Sequence, residues 1–335
     1  MRIPAISILM PVRNEEKYLR AALASLQAQT FTDWELIVID DGSDDSTPEI
    51  LGAEAQHDIR LRVFRSPGKG LVPALNAGLV NCKAPLVARM DGDDVCHPRR
   101  LELQERFLRE NPEVGLLACS FRHFPRQHLK IGMLAYEEWQ NSLVGHEQIR
   151  RDLFVESPFV HPGVVMRKDI LDAVGGYRDM GWAEDYDLWL RLAATGCRFA
   201  RLPETLFFWR DRPERSTRTM AEYTAEAFRR CKVHHLKNGY LSGHEAVTLI
   251  GAGIEGRAWR KALAEAGIGV NRWVDLDPRK VGMVLHGAPV VAEHSVEPGS
   301  GPMLVTIGTR GSRNLVRGWA EGRRLTEGID YICVT

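Results

Sequence analysis

Residues 7–47 read SILMPVRNEEKYLRAALASLQAQTFTDWELIVIDDGSDDST, and two periodicities alternate within them. The apolar run 6–10 ends at Pro11 and reads as a buried strand. Residues 16–28 carry Leu19, Leu23 and Leu26 at helical spacing. ELIVID, 35–40, is a second strand closed by the turn signal DDGSDDS. Ser46 or Thr47 is placed to cap the next helix, with Pro48 at its first position. The rhythm continues with strands at 61–64, 86–90 and 114–119 and helices at 73–80 and from Pro98 to about 109. Strand, helix, strand in short units means an α/β fold: a mostly parallel sheet with helices on both faces.

Beyond residue 120 the pattern loosens. Helices are expected near 136–143 and 148–154, from Trp182 or Ala183 to Thr195 before Gly196, and from Thr219 to 238 before Gly239. Leu241-Ser242-Gly243 breaks the chain, and a fresh alternating unit opens at Ala246. The expected domains are therefore 1–240 and 245–335, and a length of 335 residues suits two. In the second, a strand at 247–250 runs into Gly251-Ala252-Gly253-Ile254-Glu255-Gly256 and then a helix. This G-x-G-x-x-G in strand-to-helix context marks a small Rossmann-like α/β domain. Gly251, Gly253 and Gly256 would cradle phosphate, and Asp275, ending a strand at 270–274, would read a ribose. Further strands are expected at 303–308 and 331–334. At about 90 residues the unit amounts to little more than half a dinucleotide domain, so a retained scaffold serving contacts or assembly is favoured over a nucleotide or nucleotide-sugar site.

Lysine plus arginine equals aspartate plus glutamate at 44 each, so no net field draws the chain to nucleic acid. With 44% hydrophobic and 26% charged residues it can bury a substantial core. The six cysteines are scattered, without C-x-x-C spacing, and fit a reducing compartment. No charged leader with an apolar core opens the chain, and no run approaches the ~20 apolar residues of a membrane span. The expectation is a cytoplasmic protein, peripheral at most at the inner face of the membrane.

Three acidic groups fall where strands should end: Asn14-Glu15, Asp40-Asp41 and Asp91-Gly92-Asp93-Asp94. In open parallel sheets that edge is where ligands bind. One acidic turn alone is an ordinary surface loop, but several on one edge repel each other and call for a cation. Hard oxygen ligands suit Mg2+ or Mn2+, which bridge to substrate phosphates. A further pair, Glu184-Asp185, sits in the first turn of an amphipathic helix. There the dipole should keep carboxylates ionised, as a general base requires; simple charge complementarity would look the same.

The 7–47 segment resembles the opening of family 2 glycosyltransferases. The later marks follow in order: GLVPALNAGL (70–79), ARMDGDD (88–94), HPGVVMRKDIL (161–171), VGGY (174–177), EDYDLWLRLAATG (184–196) and LPETLFFWR (202–210). The resemblance implies the nucleotide-diphospho-sugar transferase fold called GT-A and an inverting transfer to an acceptor hydroxyl, in polysaccharide or glycoconjugate assembly. It places Pro11, Arg13, Glu15, Asp40 and Asp41 at the donor and makes Asp91 and Asp93 the D-x-D pair. Asp93 is then the direct metal ligand and Asp91 lies nearer the ribose. Asp185 becomes the base, with Glu184 beside it. Arg212 stands where relatives often carry a histidine, and could neutralise the leaving diphosphate itself. His161 either faces the acceptor or is a satisfied structural histidine. The implied partners are a UDP- or dTDP-linked sugar and a saccharide or lipid-linked acceptor. The run 274–291 also resembles the nucleotide-sugar-binding domain preceding some sugar acyltransferases.

Two rival functions remain open from sequence. One is an NAD-linked sugar oxidoreductase whose front domain only binds the nucleotide sugar. The other is a silent nucleotide-sugar-binding regulator. The intact DGDD and ED motifs oppose the second, and the lack of a hydride-transfer partner opposes the first.

Overall fold

The opening apolar run forms β1 (Ile6–Val12), wholly buried, because it lies between two other parallel strands and beneath helices on both faces. The computed structural model describes residues 2–213, 220–309 and 311–335. β1 is followed by α1 (Leu19–Gln27), β2 (Trp34–Asp40), α2 (Thr47–His57), β3 (Leu61–Arg65), α3 (Leu71–Asn81), β4 (Leu86–Arg89), the short β5 (Val95–Cys96), α4 (Arg100–Glu110) and β6 (Val114–Phe124). Then come α5 (Ile131–Ser142), α6 (His146–Asp152), β7 (Val165–Arg167), α7 (Lys168–Ala173), α8 (Glu184–Ala194) and β8 (Arg198–Arg210). Ile6, Ile8 and Met10 pack with Leu19, Leu23 and Leu26 of α1 on one side of the sheet. On the other, Leu9 and Ile39 approach α3 so closely that Gly78 has no room for a Cβ.

The eight strands run in the order β3-β2-β1-β4-β7-β6-β8-β5. β3, β2, β1 and β4 are parallel neighbours, with Val12 opposite Asp40 and Leu9 opposite Arg89. That half matches the alternating sequence. The second half departs from it: β7 inserts antiparallel between β4 and β6, and β5 pairs antiparallel with β8. β7 has only three residues, too few for periodicity to reveal, and Pro203 masks β8 as a strand.

By contacts the chain separates into two units, and the second comprises Arg151–Ser157, Gly181–Ala183 and everything from Met220 on. The division therefore differs from the expected 240/245 boundary. The long helix α9 (Ala225–Asn238) belongs to the second unit, because Val233 and Leu236 share a core with Leu249, Leu263 and Trp273. Its expected start at Thr219 lies outside the described residues. The helix opens at Thr224, whose hydroxyl accepts from the Ala227 N–H at 3.3 Å. After α9 follow β9 (Ala246–Ile250), α10 (Ile254–Glu265), β10 (Gly269–Val274), β11 (Val284–Leu285), β12 (Ala288–Val291), β13 (Met303–Val305), α11 (Ser312–Gly322) and β14 (Tyr331–Cys333). The sheet order is β11-β12-β10-β9-β13-β14, all parallel except the β11 hairpin. Omitting β11, this is the third-second-first-fourth-fifth order of a Rossmann sheet, five strands of six. It exceeds the half-domain expected from length.

Gly256, in the first turn of α10, marks how tightly that helix meets β9: an added Cβ would sit 2.0 Å from the Gly251 carbonyl oxygen. Alanine in a helix normally gains about 1 kcal/mol over glycine. Here the clash is with backbone, which cannot rotate away. Gly256→Ala is expected to destabilise the second unit by about 1–3 kcal/mol net, read as a lower urea midpoint. An unchanged or raised midpoint would contradict this packing.

Candidate active site

The parallel register of β1, β2 and β4 brings Glu15, Asp40-Asp41 and Asp91–Asp94 to one sheet edge, as their sequence positions implied. The turns are fixed by hydrogen bonds to one another. Asp40 Oδ1 accepts from the Ser43 N–H at 3.0 Å and from its hydroxyl at 2.6 Å, so Asp40 closes its own turn. Thr47 does not serve as the expected side-chain cap, nor does Ser46; the Thr47 hydroxyl instead accepts the Glu15 N–H at 2.8 Å. Gly92 lies so near β1 that a Cβ would meet Val12 at 2.9 Å and Glu15 at 3.1 Å. Asp41 Oδ2 accepts the Gly70 N–H at 2.9 Å and lies 3.8 Å from the Arg13 guanidinium. Pro11 is buried in β1 opposite Ile39. Asp41 Oδ1 and Glu15 Oε2 are buried acceptors with no hydrogen-bond donor among the described residues. Leaving such atoms unmet costs about 1–3 kcal/mol each.

Around the DGDD turn, carboxylates and guanidiniums interleave. Arg89, 2% exposed, holds Asp91 Oδ1 at 2.6 Å. Arg212 binds Glu15 through Nη2 and lies 2.8 Å from Asp93 Oδ2 through Nε. The end of β8 is pinned to the same turn, since the Arg210 N–H donates to Asp94 Oδ1 at 2.6 Å and its Nε to the Asp93 carbonyl at 2.5 Å. The Arg210 guanidinium lies 4.4 Å from the ring centres of both Tyr18 and Phe124. Carboxylate oxygens of Asp91, Asp93 and Asp94 all fall within 4.8 Å of one another. Three hard oxygen donors at that spacing fit a divalent cation such as Mg2+ or Mn2+. Asp94 is a member that the D-x-D reading of the sequence passed over, although DGDD contains it. Arg89 was also missed; its signal is a charge inside the otherwise apolar strand LVAR.

Charge balance sets the acidities. Burial and the charge of Asp93 push the Glu15 carboxyl up to about 7, against the pull of Arg212. At the start of α8, Glu184 is buried and Asp185 half-buried. Burial and the neighbouring Glu184 charge raise Asp185 well above the carboxylate range, against the Tyr186 N–H and Arg89. The helix dipole expected to set the acidity of Asp185 is thereby outweighed. A dipole contributes about 0.3–1 kcal/mol, less than desolvation beside a second carboxylate. His161 Nε2 lies 2.8 Å from the Tyr177 hydroxyl and its Nδ1 3.5 Å from Glu184. Burial and Arg89 lower its pKa, so it is a neutral, satisfied structural link. Arg89 ties the halves of the site together: Asp91 pairs with it directly, Glu184 helps raise its pKa against burial, and Arg89 in turn lowers that of Asp185.

Residues 7–175 match the family described as Glycosyl transferase family 2. The chain belongs to that family. Among curated proteins it is 33% identical over 203 residues to the amylovoran biosynthesis glycosyltransferase AmsE of Erwinia amylovora, covering 60% of this chain and 74% of that one. Among solved structures it resembles S. aureus TarS 1-349 in complex with UDP-GlcNAc, with a TM-score of 0.56 and 17% identity over 78% of this chain and 80% of that one. It also resembles the mannosyltransferase PcManGT from Pyrobaculum calidifontis in complex with GDP-Man and Mn2+, with a TM-score of 0.50 and 19% identity over 70% of this chain and 63% of that one. At such identities the structures establish the GT-A fold. The family 2 glycosyltransferase is thus an inverting glycosyl-transfer enzyme that uses a nucleotide-sugar donor. Among its described residues no helix is long and apolar enough to cross a membrane.

Glu15 yields a measurable pH dependence. Its folded pKa, about 7, lies above the ordinary 4.5, so the protonated form favours folding. That contribution is complete below pH 4.5 and is lost as the pH rises through about 7. The shift corresponds to roughly 3 kcal/mol at most. With chelator present, Glu15→Gln should flatten the fall in unfolding free energy over this window, measured by urea titration. Parallel pH profiles for the two proteins would contradict the assignment.

Proposed function

We propose that the enzyme transfers a sugar from a UDP- or dTDP-linked donor onto a saccharide or lipid-linked acceptor, with Mg2+ or Mn2+ at the DGDD turn and Asp185 as the base. The observation that carries this reading is the buried Arg89, which joins the metal-competent Asp91–Asp93–Asp94 group to the raised-pKa Asp185. A cytoplasmic setting, with the acceptor offered at the inner face of the membrane, completes the reading. The six free, buried thiols are compatible with it.

Each residue has a physical task. Arg13 and the unmet acceptors Asp41 Oδ1 and Glu15 Oε2 receive N–H and O–H donors of the nucleoside, with Pro11 shaping the wall. Asp40 serves indirectly, by closing the turn that presents Asp41. Asp93, Asp91 and Asp94 hold the cation, which when bound would offset charge on the departing diphosphate. Arg212 spans Glu15 and Asp93. With a cation on Asp93, the guanidinium becomes available to the same diphosphate. Asp185 takes the proton from the acceptor hydroxyl as its oxygen attacks the anomeric carbon opposite the diphosphate, so configuration inverts. A raised pKa makes Asp185 a stronger base than an ordinary carboxylate, provided the pH leaves it ionised. Glu184, anchored by His161, supplies the charge that helps keep that pKa high.

Asp185→Asn preserves shape and removes basicity. Donor binding should survive while kcat falls by about 10²–10⁴-fold, and the rise of wild-type kcat with pH through the Asp185 titration should disappear. Near-normal turnover would move the role to Glu184.

Asp93→Ala should abolish metal-dependent donor binding, and chelator should reproduce that loss in the wild type, both read by calorimetry with UDP-linked and dTDP-linked sugars. Unchanged donor affinity in both experiments would remove the cation from the mechanism.

A further inference from the structure

None of the residues assigned to transfer lies in the second unit, yet that unit encloses a cavity of about 1100 Å3. It opens at the carboxyl ends of the parallel strands, between Ile250 and Gly251 after β9 and Thr306 and Ile307 after β13. In the third-second-first-fourth-fifth order, β9 and β13 are the first and fourth strands, where chain direction across the sheet reverses and a crevice forms.

The three glycines of the β9–α10 turn are required for different reasons. Gly251 has φ +107° and a Cβ there would meet Ile307 at 2.7 Å; Gly256 cannot hold a Cβ against the Gly251 oxygen. Both are demanded by the fold. Gly253 is not: its φ is −94°, open to any residue, and a Cβ would touch nothing within 4 Å. What glycine leaves at 253 is open space on the cavity wall, where a ligand can approach the backbone.

A second, independent observation comes from the cations. Arg229 is paired with Glu255 at 3.2 Å and Lys280 with Asp275 at 2.8 Å. Lys232, only 6% exposed, donates to two main-chain oxygens, of Val155 at 2.7 Å and Val334 at 3.2 Å. Arg313 donates to the Thr335 main-chain oxygen at 3.1 Å. Among the described residues no side-chain carboxylate forms an ion pair with either, although the charge of Glu156, on the same cavity wall, acts on Lys232. A buried ammonium without a paired counter-ion is an unfavourable arrangement that an anionic ligand relieves. Flat apolar surface lines the same cavity, from Phe228, Trp259 and Trp319, and the buried Trp319 Nε1 has no acceptor among the described residues.

We infer that this cavity is a second ligand site, independent of the transferase centre, for a nucleoside diphosphate or its sugar conjugate. The diphosphate meets the Gly251–Gly253 turn and the charges of Lys232 and Arg313, and the base lies on the aromatic wall. Asp275 separates this ligand from a nicotinamide dinucleotide. Its Oδ2 already accepts the Ala252 N–H at 2.9 Å and Lys280 at 2.8 Å, and its Oδ1 the Asp277 N–H at 2.9 Å. It is therefore not the free acceptor that a dinucleotide domain turns to the ribose diol. The sequence expectation of a ribose-reading Asp275 becomes, on this inference, a residue that braces the glycine turn.

The test uses the full chain carrying Asp93→Ala, in chelator, titrated calorimetrically with UDP, ADP and NAD+. One equivalent of UDP or ADP should bind, and Gly253→Val should weaken that binding at least about tenfold while leaving the ligand-free melting temperature unchanged. Should Gly253→Val lower that melting temperature, Arg313→Gln takes its place with the same expected loss. In the otherwise unaltered enzyme, Gly253→Val should leave transferase turnover intact. Absence of UDP and ADP binding, binding indifferent to both variants, or tighter binding of NAD+ than of either diphosphate would overturn the inference. Should Asp93→Ala in chelator leave the first site able to bind UDP, a further equivalent insensitive to Gly253→Val and Arg313→Gln would appear, which counts against the Asp93 assignment, whereas the equivalent sensitive to those variants reports this site alone.

Discussion

Parallel register between β1 and its two neighbours is the constraint on which the active site rests. With Val12 opposite Asp40 and Leu9 opposite Arg89, the three strands end level, and the turns that follow must share one edge. Four carboxylates, Glu15, Asp91, Asp93 and Asp94, are thereby pressed together in partly desolvated surroundings. Repulsion of that kind has few remedies. One is proton uptake, visible in the raised pKa of Glu15; another is the guanidiniums of Arg89 and Arg212. A third is a divalent cation, and the geometry of the three aspartates admits one.

These remedies compete, and the competition gives Arg212 its interest. It lies between Glu15 and Asp93, where its charge answers both carboxylates. A cation at the DGDD turn would relieve it of that duty just when a diphosphate needs positive charge. Arg210, fixed by Asp93, Asp94 and two aromatic rings, anchors the strand that carries Arg212. An arginine at 212 thus fits a site that balances its carboxylates with positive charge.

The second unit solves a different problem with similar materials. Its sheet is a nearly complete Rossmann order, and its glycine turn divides labour between packing and vacancy. Lys232 holds Val155 and Val334 through main-chain oxygens, so a charged residue serves as a strut inside the unit. Pairing of Asp275 with Lys280 shows how the same sequence signature can brace a loop rather than wait for a ribose.

Much of this was legible in the residues. Alternation of apolar strands and amphipathic helices determined β1 to β4, β6 and their helices, because a buried parallel strand must be apolar throughout and its covering helix must not. That the acidic turns share one sheet edge was readable since each follows a strand, and the glycine turn was readable since strand and helix flank it. Other features depend on contacts distant in sequence. β7 has three residues and exists only because β4 and β6 leave a place between them. The long helix Ala225–Asn238 packs into the second unit through Val233 and Leu236, which no local pattern could assign to one neighbour over another. The acidity of Asp185 was out of reach for the same reason: a helix dipole is visible in the sequence, whereas burial beside Glu184 is not. Sequence determined which residues carry charge and where strands end; only the tertiary structure decided which charges meet, because desolvation and ion pairing are set by neighbours brought together through space.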